Sequence, residues 1–263
     1  MIFTVGLIFF SEFFLISFNV QSRSIIRDVN VRYIVQISKV RCLISVTVSG
    51  VTDLSQIVLR EDMMPYRDEM IISTKAGYDM WPGPYGNWGS RKYLFASLEQ
   101  SLKRMHLDYV DLFYSHRLDP QTPLEETLQA LVDIVRQGKA LYIGISNWPI
   151  EQLRIGEEYL RRHDVPLLIY QGRLNLIDRK PIETGILPFC KEKGIGFIAF
   201  SPLAQGLLTD RYLEGIPADS RMARGHFLTK DRLTPELMEY VLALKSDASK
   251  NKQTTSEAAL RWV

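Results

Sequence analysis

From Met70 onward the chain alternates short apolar runs with helical patterns, and that alternation leaves few folds open to it. The strand-like runs are Met70 to Lys75, Val110 to His116, Ala140 to Ser146, Leu167 to Gln171 and Gly196 to Leu203. Helical spacing is clearest at Leu94, Leu98, Leu102 and Met105, and in Pro123 to Gln137, Pro149 to Arg162, Glu183 to Lys193 and Pro235 to Lys250. Thr122-Pro123-Leu124-Glu125-Glu126 offers an N-cap, a first-turn proline and acidic residues for the positive end of a helix. Gly138 and Gly194 sit where helices are expected to stop. Repeated β-α units with short links imply a parallel sheet. No Gly-x-Gly-x-x-Gly follows any strand, which argues against the dinucleotide-binding doubly wound sheet. The expectation is an α/β chain of the (β/α) barrel type.

Two consecutive runs each deliver one polar group at the carboxyl end, Lys75 after Ile71-Ile72-Ser73-Thr74 and His116 after Leu112-Phe113-Tyr114-Ser115. Parallel α/β folds gather their chemistry at that end of the sheet. With one helix between them, Lys75 and His116 belong on neighbouring strands. Such a pair is costly to bury, because each cation disfavours the other and desolvation disfavours both charges. Proton handling or an electropositive pocket explains the arrangement better than structural support, although either residue alone could be a strand-end group meeting water.

Later strands end in groups suited to a ligand. Gly144-Ile145-Ser146-Asn147-Trp148 brings a hydroxyl and an amide able to bond an amide-bearing ring, and Tyr170-Gln171 adds a second amide. Phe200-Ser201-Pro202-Leu203-Ala204-Gln205-Gly206-Leu207-Leu208 joins an aromatic face to a glycine turn whose N–H groups could meet a phosphate. Each motif alone is also an ordinary turn or cap.

The chain's 263 residues, 46% of them hydrophobic, suffice for one barrel or two modest domains. A formal charge of +2, with no basic run and no acidic tail, proposes neither nucleic acid nor an anionic membrane as a partner. Cys42 and Cys190 have no metal-ligand or redox spacing, so no metal is expected and a reduced, cytoplasmic setting is the default. Met1 to Val20 is apolar and close to a membrane span in length. It lacks a positive n-region and a small-residue cleavage site, and Glu12 near its centre would be costly in lipid, so a membrane anchor is the weaker reading. Residues 21–50, rich in Val, Ile, Ser and Arg, could supply one or two strands. The chain thus divides into an atypical apolar segment, 1–58, and a regular part, 59–263.

Residues 59–263 resemble an aldo-keto reductase, most closely the branch holding bacterial glyceraldehyde-3-phosphate reductases and potassium-channel β subunits. The resemblance rests on Ser73-Thr74-Lys75-Ala76-Gly77, Tyr114-Ser115-His116-Arg117, Gly144-Ile145-Ser146-Asn147-Trp148 and Phe200-Ser201-Pro202-Leu203, in order and at barrel-like spacing. The loop Tyr78-Asp79-Met80-Trp81-Pro82-Gly83-Pro84-Tyr85-Gly86 is similar to the bacterial reductases in particular. The resemblance implies a (β/α)8 TIM barrel, of which strands three to seven are recognisable, and hydride transfer from NADPH to a small aldehyde or ketone. It implies catalytic roles for Lys75 and His116. It also implies a cofactor site in which Ser146, Asn147 and Gln171 hold the carboxamide, Phe200 stacks on the nicotinamide, and Ser201, Pro202, Leu203, Gly206 and Leu207 follow the pyrophosphate, with Arg211 serving the anion. A homo-oligomer is compatible with it.

Some family features are not found. The proton-donating tyrosine and its aspartate belong to an Asp-Thr-Ala…Tyr-Gly motif upstream of the lysine, and residues 1–58 contain none; Tyr33 and Tyr66, the only tyrosines before Lys75, lack that context. The family's last strand, with its basic residues for the adenosine 2′-phosphate, is not seen after Arg261-Trp262-Val263. Thr209-Asp210-Arg211 stands where relatives usually carry Gly-Lys after the threonine, which sets a negative charge near the expected pyrophosphate. With five strands recognisable, unpaired parallel edges are expected. The alternative to a reductase is therefore a catalytically incomplete member, or a ligand- or partner-binding protein like the channel β subunits.

Overall fold

The computed structural model describes residues 7–10, 13–20, 29–35, 42–48, 64–225 and 228–263, with side chains from residue 67 onward within those ranges. Four strands come first: β1 (Leu7–Phe10), β2 (Phe13–Val20), β3 (Val29–Val35) and β4 (Cys42–Val48). The alternating part follows as β5 (Met70–Ala76), α1 (Arg91–Met105), β6 (Val110–Ser115), α2 (Leu124–Arg136), β7 (Ala140–Ser146), α3 (Ile150–Arg162) and β8 (Leu167–Arg173). It continues through α4 (Lys180–Glu183), α5 (Ile186–Lys193), β9 (Gly196–Phe200), α6 (Arg221–Arg224), α7 (Pro235–Lys250) and α8 (Thr255–Trp262).

Strands β5 to β9 form the curled five-stranded parallel sheet expected of an incomplete TIM barrel. Its two faces follow from the period of two. Ile72, Phe113, Ile143, Ile145 and Tyr170 pack outward against Leu94 and Leu98 of α1, Leu128 and Leu131 of α2, and Leu153 of α3. Each such buried side chain is worth roughly 1.5–3 kcal/mol. Leu112, Tyr114, Ile169 and Ile198 form a separate inner cluster. The registers Lys75 with Tyr114, Tyr114 with Gly144, Gly144 with Ile169, and Ser146 with Gln171 put all of these residues on that same inner face.

The edges of this sheet are paired, against the sequence expectation of open edges. β1 to β4 run as an antiparallel meander; β4 pairs parallel with β5, β1 pairs antiparallel with β9, and the nine strands close. Closure therefore comes from strands outside the β-α repeat. The proposed boundary at residues 58 and 59 lies outside the described residues. Among the described residues no helix is long and apolar enough to cross a membrane.

Local chemistry moves several expected boundaries. The hydroxyl and N–H of Thr122 both bond the Asp119 carboxylate, so Pro123 rather than Thr122 takes the N-cap of α2. The single helix expected over Glu183 to Lys193 is split into α4 and α5, because Gly185 adopts φ 81°, outside the helical region. The fifth run ends at Phe200, three residues early, since Ser201 turns to φ 55°. After it, Leu207, Leu208 and Tyr212 pack with Met222, Leu228 and Ala259 in a second core that seats α8 beside the post-β9 loop.

Candidate active site

Lys75 is the last inward-facing residue of β5 and is buried. Its Nζ lies 4.8 Å from the centroid of the Tyr114 ring on the next strand. That ring has space only because residue 144 is glycine; a Cβ there would come within 2.5 Å of the Tyr114 ring carbons. His116 stands one residue beyond β6, where its N–H donates to the Ala76 carbonyl at 2.8 Å, so Lys75 and His116 meet at adjacent carboxyl ends. The half-buried His116 imidazole takes the Tyr78 ring edge-on, centroids 4.7 Å apart.

Ser146 ends β7 on the inner face and is fully buried. Asn147 then turns to φ 56°, and its amide donates to Ser146 Oγ at 3.1 Å and to the His116 carbonyl at 3.3 Å. Its backbone N–H donates to the Gln171 carbonyl at 3.2 Å. This one turn ties the ends of β6, β7 and β8 together. Asn147 uses only its amide nitrogen in these bonds, and the buried Gln171 carboxamide makes no side-chain hydrogen bond among the described residues.

Phe200 ends β9 half-buried, with the Arg173 guanidinium 5.5 Å from its ring centroid. The Asn175 amide holds the Ser201 carbonyl at 3.0 Å, while Asn175 Oδ1 accepts from the N–H groups of Ile177 and Asp178. Ser201, Ala204, Gln205 and Gly206 all have positive φ, which folds Pro202 to Leu207 into a tight turn. The N–H groups of Ala204, Gly206, Leu207 and Leu208 donate to carbonyls within that turn. An anion there would meet the remaining N–H groups, a narrower offer than the whole loop that the sequence suggested. Asp210 accepts from Thr255 Oγ1 at 2.5 Å and pairs with Lys245 at 3.3 Å, so its charge is turned to α7 and α8. The Thr255 hydroxyl, with Lys245, holds that carboxyl below the usual aspartate range. Arg211 is paired with Asp219 at 2.9 Å.

The loop from Gly77 to Ser90 borders the site. Trp81 lies against Tyr93 at 5.5 Å, and the Tyr93 hydroxyl donates to the Tyr78 carbonyl and accepts from the Gly77 N–H at 3.0 Å. Burial raises the pKa of the Tyr93 phenol, which remains a hydrogen-bonding strut. Arg91 pairs with Asp133, and Lys92 Nζ lies 4.7 Å above the Tyr85 ring. Asp119, just past β6, accepts from the N–H groups of Gly89 (2.9 Å), Gln121 (2.9 Å) and Thr122 (3.2 Å) and from the Thr122 hydroxyl (2.7 Å). Burial acts to raise its pKa, but these donors together hold the carboxyl below its ordinary value. Burial pushes the Cys190 thiol up to about 12, which leaves it inert at neutral pH. Among the described residues no group of three His, Cys, Asp or Glu could hold a metal ion.

The structure thus brings Lys75, His116, Ser146, Asn147 and Gln171 together at one end of the sheet, with Phe200 at the end of the last strand, and leaves Arg211 in an ion pair with Asp219. The side chains of Tyr33 and Tyr66 lie outside the described residues. Sequence reasoning did not single out Asn175 or Asp119. Asx-turn spacing in Asn175-Leu176-Ile177-Asp178 and Asp119-Pro120-Gln121-Thr122 was the available signal.

The model of the aldo/keto reductase family matches residues 52–263. The chain is 53% identical over 210 residues to an L-glyceraldehyde 3-phosphate reductase of Escherichia coli (strain K12), covering 78% of this chain and 61% of that protein. It is 37% identical over 202 residues to a probable voltage-gated potassium channel subunit beta of Arabidopsis thaliana, covering 74% and 61%. It is 30% identical over 200 residues to an aldo-keto reductase of Strobilurus tenacellus, covering 75% and 57%. The chain spans about 61% of the length of the first two of these relatives.

Proposed function

Because the chain belongs to the aldo/keto reductase family, we propose that it binds NADPH and reduces a small aldehyde or ketone at the mouth formed by β5 to β9. The observation that carries this reading is the convergence of buried Lys75 and half-buried His116 at adjacent strand ends, one strand from Ser146 and Asn147. The residues present suit a nicotinamide: Asn147 Oδ1, the Gln171 carboxamide and Ser146 are complementary to a carboxamide, and Phe200 offers a ring face. The bound cofactor would supply the hydride.

The protein's own part is electrostatic and positional. Lys75 supplies positive charge from a water-poor inner face toward the oxygen that gains charge during reduction. His116 orients that oxygen by hydrogen bonding, and Asn147, bonded to the His116 carbonyl, fixes the imidazole's backbone relative to the amide pocket. The substrate class, a small carbonyl with room for a phosphate, rests on kinship with the bacterial reductase and on the polar, aromatic loop 77–90. Monitoring NADPH consumption with glyceraldehyde, its 3-phosphate and methylglyoxal tests the proposal. Turnover lost in Lys75→Met and His116→Phe supports it, and full activity in both variants refutes it.

A second reading is favoured by one observation, that no Asp-Thr-Ala…Tyr-Gly motif precedes Lys75. In that case the chain binds the nicotinamide nucleotide but turns over slowly. Fluorescence titration separates the two: binding without turnover selects the second reading.

A further inference from the structure

We propose that Arg117 is a positioning residue for His116 and acts through the ring of Tyr78. Arg117 follows His116 directly, and its side chain reaches back over the loop that borders the site. Nε donates to the Gly77 carbonyl at 2.6 Å, and Nη2 donates to Asn87 Oδ1 at 2.6 Å. The guanidinium carbon lies 4.2 Å from the Tyr78 ring centroid and 3.5 Å from that of Trp88. One side chain therefore fastens both ends of the Gly77–Trp88 loop to the residue after His116.

The strand ends leave little slack for other arrangements. A Cβ on Gly77 would approach His116 Cβ to 2.9 Å and the Arg117 nitrogen to 3.3 Å, so the two backbones touch here. The Tyr78 backbone is held by Tyr93, but the residue is 45% exposed, and its ring touches both the His116 imidazole and the Arg117 guanidinium. Arg117 thereby helps to hold the ring in its T-shaped contact with the imidazole. Asn87 Oδ1 also accepts from the Trp88 N–H at 2.7 Å, and Trp88 sits at φ 71°, a conformation costly for an indole-bearing residue. Such a residue persists where its surroundings over-determine it, and Arg117 supplies two of those contacts. A lysine could not substitute, because the function uses two donors of a planar fork together with stacking on two rings.

This assigns Arg117 to the protein's own scaffold, with its fork bonded to the loop and its guanidinium against two of the loop's rings. Its catalytic relevance rests on the reductase reading above; the positioning itself does not. The test is histidine-labelled NMR of the full chain at about pH 9, where an ordinary imidazole is neutral. Tyr78→Ala calibrates the ring-current contribution to the His116 carbon-bound protons. Arg117→Lys is expected to move those protons toward the Tyr78→Ala position, Tyr78→Phe to leave them in place, and the Arg117→Lys/Tyr78→Ala pair to move them no further than Tyr78→Ala alone. His163, the residue after α3, is stacked on Tyr159 with centroids 4.3 Å apart and is the internal control for the fold. A His116 signal unmoved by Arg117→Lys overturns the proposal, as does one unmoved by Tyr78→Ala or one that moves together with His163. In a turnover assay Arg117→Lys is expected to lower kcat on the order of 10- to 100-fold, as for a misplaced catalytic group, with NADPH affinity unchanged. Failure of the assay alone, with the NMR shifts as expected, counts against the reductase reading and leaves the positioning intact.

Discussion

The chemistry of the site begins with a spatial bargain between two residues, Tyr114 and Gly144. Tyr114 fills the inner face beneath Lys75, and it can do so only where the opposing strand carries no Cβ. Gly144→Ala is therefore expected to push the ring aside and cost about 1–3 kcal/mol, the usual range for overpacking. Urea denaturation measures the loss, and an unfolding free energy unchanged from that of the natural chain would contradict the close approach. The variant is also expected to slow turnover more than cofactor binding, since the ring supports Lys75 and not the amide pocket. Ser73 and Thr74 beside this layer are buried with hydroxyls that make no hydrogen bond among the described residues.

At the scale of elements, Asp119 joins three pieces: the end of β6, the entry to α2 and, through Gly89, the residue before the Ser90 cap of α1. Asp119→Ala strands the buried Gly89 N–H, breaks the part-buried bonds to Gln121 and Thr122, and is expected to cost about 1–3 kcal/mol. Its folded-state pKa lies below the ordinary 3.8, so the stability that it contributes is present above that value and is lost as pH falls through the folded pKa. Denaturation midpoints taken between about pH 6 and pH 3 are expected to fall more steeply for the natural chain than for Asp119→Ala. Parallel curves would remove Asp119 as the cause. Asp210 has a quieter place. Its links to Thr255 and Lys245 dock α7 and α8 on the loop after β9, but Asp210 itself and its pair with Lys245 are exposed, so Asp210→Ala is expected to cost about 1 kcal/mol.

For the whole molecule, the pairing of β4 with β5 and of β1 with β9 is what closes the sheet. Removing residues 1–48 exposes two parallel-sheet edges, and the shortened chain is expected to aggregate during refolding at micromolar concentration. Light scattering of the two chains side by side checks this, and a monomeric, fully folded truncation would show that the meander is dispensable. Without a recognised proton donor, turnover of glyceraldehyde or methylglyoxal is expected to be slower by roughly 100- to 10,000-fold than with general acid assistance. Brisk turnover abolished by Tyr33→Phe or Tyr66→Phe would identify an unconventional donor instead.

The order of strands β5 to β9, their parallel sense and the placement of Lys75 and His116 at adjacent carboxyl ends were legible in the residues alone. Apolar periodicity is a local signal, and two strands joined by one helix have few ways to pack. Boundaries were less legible. Thr122 resembles a cap in sequence, but the Asp119 carboxylate competes for its hydroxyl, and nothing local announces that competition. The partners of the loop cations were likewise decided by tertiary structure: Arg117 finds Gly77, Asn87 and two rings, and Arg211 finds Asp219. Closure by a meander outside the repeat belongs to the same class. A charge or a strand edge can be satisfied by any of several complementary groups, and only the folded chain brings one of them within reach.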